Sequence, residues 1–207
     1  MKRQTFLRSL LAPALGLAVA LTAGGPVVAQ SPLAIESGKV AIAGNSNVHA
    51  WTAATAKVRV TKARIAPAAT GADFWDAALK PGGIEAFEIA IPAASLSAPK
   101  GDLDKNMHKA LKVTEHADIT FKLLRFEPTT AGAGTRAIGV LRIAGVEKEV
   151  ALDITAKRAG STLAVTGRVD LLMTDYGIAP PKAMLGMLKT DPKVTITFET
   201  VLAIPLT

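Results

Sequence analysis

Ile138-Gly139-Val140-Leu141-Arg142-Ile143-Ala144-Gly145-Val146-Glu147-Lys148-Glu149-Val150-Ala151-Leu152-Asp153-Ile154-Thr155 is the stretch whose reading decides the fold. Its second half alternates, with Val150, Leu152 and Ile154 against Ala151, Asp153 and Thr155. Side chains of an extended chain point to opposite faces in turn, so this is a strand with one buried and one wet face. Ile138 to Ile143 reads as its antiparallel partner, and Gly145 to Glu147 as the tight turn between them.

The same period recurs on both sides. Phe87, Ile89 and Ile91 share a face within Ile84 to Ile91, and Ile119, Phe121 and Leu123 share one against Thr120 and Lys122. Leu163, Val165, Val169 and Leu171 alternate with Thr166, Arg168 and Asp170, Gly167 keeping the apolar phase. Val194, Ile196 and Phe198 alternate with Thr195, Thr197 and Glu199. Val40 to Ala43 and Val58 to Thr61 bring the expected count to about eight strands, and Ala159-Gly160 marks another turn. Eight antiparallel strands on short links form a sandwich or close into a barrel, and closure removes edges that invite aggregation.

Two stretches break the pattern. In residues 101–112, Leu103, Met107 and Leu111 fall on one helical face, with Asp102 placed to cap it. Pro181 to Leu188 reads as a second short helix, with Met184, Leu185 and Leu188 as its apolar side. The fold class expected is therefore all-β, an eight-stranded antiparallel barrel with one or two short helices, in a single domain spanning 30–207.

Residues 1–29 read as a signal peptide. Lys2, Arg3 and Arg8 precede an apolar run from Leu10 to Ala23, and Val27-Val28-Ala29 supplies the small residues of a cleavage site before Gln30. The run is short for a membrane span and is interrupted by Pro13. Cleavage leaves 21 basic and 17 acidic residues, a net charge of +4. The expected location is the periplasm.

Composition excludes several classes of function. With 49% hydrophobic residues the chain of 207 is not disordered, and with no cysteine it has no disulfide, thiolate metal site or Cys nucleophile. The bases are scattered and the aromatics few, which argues against nucleic acid. The three histidines, His49, His108 and His116, lack metal-ligand spacing, and no HExxH pattern occurs. No Gly-x-Ser-x-Gly elbow is present, and Asp102, Asp104 and Glu115 read as solvated residues about a helix. His108 reads as a surface residue, and Gly132-Ala133-Gly134 as a loop with no helix after it to cradle phosphate. No cofactor, metal or catalytic residue is expected.

Three segments, in order, resemble the YceI-like family. The first comprises Ser95 to Ser97, Leu103 to His108 and Val113 to Phe121; the second is the Gly139 to Val150 hairpin; the third is Asp175-Tyr176-Gly177-Ile178 followed by Val194 to Ile196. The hairpin is the most specific of them. Where many members carry a His-Ser-x-Val-x-Phe segment, this chain has Gly44 to Trp51, with a His49-x-Trp51 pair.

The resemblance implies a lipocalin-like barrel that encloses a long apolar molecule such as a polyisoprenoid, bound without reaction. The inward residues Phe87, Ile89, Ile91, Phe121, Leu123, Val165, Val169 and Leu171 are then its candidate wall. His49 and Trp51 are candidates for the head-group end, and Tyr176, Met184 and Met187 for a lid over the mouth. The reading leaves room for transient membrane contact and for a monomer or a dimer. The alternative is a barrel filled by its own side chains, acting as an envelope interaction or stress protein without a small-molecule ligand.

Overall fold

The alternating stretches become antiparallel strands: β1 (Ala34–Ser46), β2 (Ala50–Thr55), β3 (Arg59–Ile65), β4 (Ile84–Pro92), β5 (Asp118–Pro128), β6 (Thr135–Ile143), β7 (Val146–Ala159), β8 (Thr162–Leu172), β9 (Lys182–Ala183) and β10 (Leu188–Ala203). Two short helices accompany them, α1 (Phe74–Ala78) and α2 (Asp104–Ala110). The computed structural model describes residues 33–66, 74–99, 101, 103–128, 135–183 and 187–204. The proposed signal segment, Asp102, Gly132 to Gly134 and Met184 lie outside them. Residues Ser31–Thr207 form one compact unit, which holds every described strand and both apolar clusters.

Strand order is β2-β1-β10-β8-β7-β6-β5-β4-β3, with β9 paired to the start of β10. The path therefore has nine strands, not eight. The one missed is β2, Ala50-Trp51-Thr52-Ala53-Ala54-Thr55, whose small residues hide the period. It runs beside the second half of β1, from Asn45↔Ala50 to Val40↔Thr55. Beyond residues 56–58 the chain resumes as β3, and a β-carbon built on Gly38 of β1 would stand 3.4 Å from Cβ of Val58. The two ends of the sheet are thus successive segments of chain, and the sheet curls into a barrel wall.

Polar contacts pin that seam. Ala54 and Ser97 exchange backbone hydrogen bonds of 2.9 and 3.0 Å. Thr55 Oγ1 lies 2.8 Å from Ser95 Oγ and accepts from the Lys57 N–H at 3.0 Å, while Ser95 donates to the Pro92 carbonyl at 2.6 Å. Thr55 is the buried polar side chain of the described core, and it is fully engaged, as a buried hydroxyl must be.

Local chemistry corrects two expectations and adds a bulge. The β6–β7 turn is Ala144-Gly145, one residue earlier than read, and both have positive φ (48° and 85°) as a two-residue hairpin of this twist requires. A register shift between Leu123 and Arg125 puts Leu124 outside and returns Phe126 to the inner face. The helix expected at Pro181 to Leu188 is not formed as read: Lys182 and Ala183 are strand, paired with Lys189 and Leu188.

Two apolar clusters pack in the barrel, one toward each end. One gathers Leu96, Leu111, Ile143, Tyr176 and Ile178 beneath α2, whose Leu103, Met107 and Leu111 face inward at the spacing read from sequence. The other packs Phe74 and Trp75 of α1 on Leu33, Leu163 and Leu202. Trp75 is 1% exposed and donates from Nε1 to the Ser161 carbonyl at 2.9 Å, which satisfies its one polar group.

Candidate functional site: an apolar lumen

The inner face of the sheet does not close on itself. A cavity of about 640 Å³ runs through it, from Leu33 just before β1 to Ser46 at the strand's end. That is thirteen residues of strand, about 40 Å, or on the order of 30 Å along a barrel axis to which strands tilt by about 40°. The volume lies within the usual range for sites that enclose small molecules.

Of the residues read from sequence, Phe87, Ile89, Ile91, Phe121, Leu123, Val165, Val169, Leu171, His49, Trp51 and Tyr176 all line this cavity. Met187 does not: it is 74% exposed and lies outside the lining. Met184 lies outside the described residues. Sequence reading missed Trp75 and Leu79, which follow from α1, and Phe126, which the bulge in β5 turns inward. Ser46, Asn106 and Thr190 add polar groups at the α2 end.

Glycines keep the lumen open. A β-carbon built on Gly44 would stand 2.6 Å from Cε2 of Trp51, its register partner on β2. One built on Gly167 would stand 2.6 Å from Cε1 of Phe198, its partner on β10. One on Gly139 would collide with the ring of Phe121. Each ring occupies the space a side chain would take on the next strand, so it lies against the wall. An aromatic wall with no aromatic plug is the result.

The polar inventory is small. Trp51 Nε1 and the Tyr176 hydroxyl are buried without a hydrogen-bond partner among the described residues. Burial, aided by the nearby Asp175 carboxylate, pushes the Tyr176 hydroxyl up to about 12, so it is neutral at any physiological pH. His49 is exposed on the rim, in a turn held by Ser46: its N–H donates to Ser46 Oγ at 3.1 Å, and Ser46 Oγ donates to its carbonyl at 2.8 Å.

His108, expected at the surface, is half-buried and lies 2.8 Å from the Leu96 carbonyl, to which it donates from Nε2. Among the described residues no three His, Asp or Glu side chains gather as metal ligands, and no helix is long and apolar enough to cross a membrane. What the lumen offers is water exclusion and dispersion, with little directional chemistry.

A curled antiparallel sheet around an oily hollow defines a lipocalin-like barrel. Residues 37–202 match the YceI-like domain, and the chain belongs to that family. Among solved structures it is similar to BcnA of Burkholderia cenocepacia, with a TM-score of 0.61 at 17% identity over 80% of this chain and 96% of that one. It is also similar to a polyisoprenoid binding domain from Saccharophagus degradans implicated in plant cell wall breakdown, with a TM-score of 0.60 at 11% identity over 85% of this chain and all (100%) of that one. The YceI protein of Campylobacter jejuni follows at 0.52 and 14%, over 76% and 82% of the two chains. No curated protein matches the sequence. At these identities the structural likenesses speak to the fold.

Proposed function

We propose that the protein binds a long apolar molecule of the polyisoprenoid or lipid class in this lumen and sequesters or carries it without reacting. The observation that carries the reading is the continuous cavity from Leu33 to Ser46. Each buried methylene of a ligand contributes about 0.8 kcal/mol. Some twenty of them, roughly 16 kcal/mol, offset an association cost of about 4–15 kcal/mol. The lumen thus needs no strong polar anchor to hold a chain. The similar barrel from Saccharophagus degradans is a polyisoprenoid binding domain, which supports this choice of ligand class. The basic and apolar features of residues 1–29 support export to the periplasm with removal of that segment. The protein acts there as a monomer or dimer whose contact with membranes is transient.

The test is organic extraction and native mass spectrometry of protein purified from an exporting bacterium. A lipid-length molecule bound at one per chain, on a protein beginning at Gln30, is the expected result. Repeated empty preparations that also refuse added prenyl lipids would overturn the ligand reading.

A further inference from the structure

Val48 and Met187 are the two most exposed large apolar side chains among the described residues, at 66% and 74%. They are 139 positions apart in the chain, yet one amide fixes them together. Asn47 Nδ2 donates to the Met187 carbonyl at 2.8 Å, Asn47 Oδ1 accepts from the Lys189 N–H at 2.8 Å, and the Asn47 N–H donates to the Lys189 carbonyl at 3.0 Å. The β1–β2 turn and the approach to β10 are thereby held as one rigid tip. This tip borders the lumen, because Ser46, His49 and Thr190 beside it all line the cavity.

The other side of the same mouth is α2. Its Leu103, Asn106, Met107 and Ala110 line the lumen, which leaves Lys105, Lys109 and Lys112 exposed. Lys105 and Lys109 lie at i and i+4 on the helix face turned from the cavity, and Lys112 follows just beyond the helix end, where its φ of 52° turns the chain. Among the described residues none of the three forms an ion pair. The mouth is therefore flanked by two projecting apolar side chains on one side and by three exposed lysines of α2 and its C-terminal turn on the other. Exposed apolar side chains backed by free cations are the pattern of a surface that dips into an anionic interface.

We infer that the rim formed by Val48, Met187 and the exposed lysines Lys105, Lys109 and Lys112 docks the barrel on an anionic lipid bilayer, mouth down, where an apolar ligand passes between membrane and lumen. The purpose of the docking rests on the proposed lipid-binding function; the docking itself does not. Val48 and Met187 enter the head-group region, and the lysines attract the surface from outside it. Such binding is weak and reversible, since two side chains bury little apolar area, and it falls as salt screens the lysines.

Flotation of residues 30–207, the chain left by the proposed cleavage and the one that holds the compact unit Ser31–Thr207, tests this with vesicles. Vesicles of phosphatidylcholine with about 30% phosphatidylglycerol should carry the protein at low salt, and pure phosphatidylcholine should not. Val48→Asp with Met187→Asp should reduce flotation by more than about tenfold, as should Lys105→Glu, Lys109→Glu and Lys112→Glu together. Both sets lie at exposed positions, so thermal melts should match the parent. Equal flotation of parent and variants, or none with anionic vesicles, overturns the inference. Loading with a prenyl lipid from detergent micelles is measured in parallel. Variants that load normally yet do not float separate the docking rim from the lumen, whereas a parent that never loads defeats the lumen reading alone.

Discussion

Thr55 Oγ1 and Ser95 Oγ share a hydrogen bond of 2.8 Å at the seam where the two ends of the sheet meet. With the Lys57 N–H and the Pro92 carbonyl they form a short polar chain inside an otherwise apolar wall. Thr55→Val keeps the shape and removes the oxygen, leaving a Lys57 N–H and a Ser95 hydroxyl short of a partner. We expect a loss of about 2 kcal/mol, read as a lower denaturant midpoint. Amide exchange should quicken first at Ala54 and Ser97, whose mutual bonds hold the seam.

Tyr176 inverts the argument. Its hydroxyl is buried, 3% of the residue being exposed, and has no partner among the described residues. Tyr176→Phe removes a group that costs free energy in the empty protein, so the ligand-free melting temperature should hold or rise. A gain of up to about 1 kcal/mol is expected. A marked fall would mean that the hydroxyl is satisfied when the protein is empty.

Asp104 links the start of α2 to the seam. Its carboxylate accepts from the Ala98 N–H and the Ser97 hydroxyl, both at 2.7 Å, and these bonds, the first above all, hold its pKa below the ordinary 3.8. A folded-state value below the unfolded one stabilises the fold at pH above about 4, and that contribution is lost as pH falls through the folded value. Amides of α2 should therefore lose protection below about pH 4, ahead of the main sheet. Asp104→Ala should be loosened already at neutral pH and show no such acid step. An acid step of unchanged size in Asp104→Ala would assign it to another group.

Val169 lines the lumen beside Ile196, its register partner on the adjacent strand β10. In a filled core, Val169→Trp would overpack and cost about 1–3 kcal/mol. Here the indole has a hollow to enter, so melting should change little while retention of a prenyl lipid falls more than tenfold. Destabilisation without loss of ligand would contradict a lumen at this position.

Much of this architecture was readable from side-chain alternation. Val150, Leu152 and Ile154, or Val194, Ile196 and Phe198, need only a period of two to be assigned to strands with one inner face. β2 escaped because Ala50, Ala53 and Ala54 give no contrast against Thr52 and Thr55, and alternation is visible only through contrast. α1 escaped because five residues make barely one turn, too few for a helical period to show. The inward turn of Phe126 was not read, since the bulge at Leu124 shifts the count without changing composition. Eleven of the thirteen residues named from sequence lie on the cavity, yet the cavity itself was not legible. Periodicity reports which face is inward and says nothing of how far apart opposite walls stand.

That distance depends on residues with no side chain at all. Because Trp51, Phe121 and Phe198 recline on Gly44, Gly139 and Gly167, the calibre of the bore is written in three backbone positions that need never touch what enters it. One methyl at any of them tips a ring toward the axis and narrows the passage. The bore can thus be retuned from wide to slender by single-carbon steps, leaving the chemistry of the lining untouched.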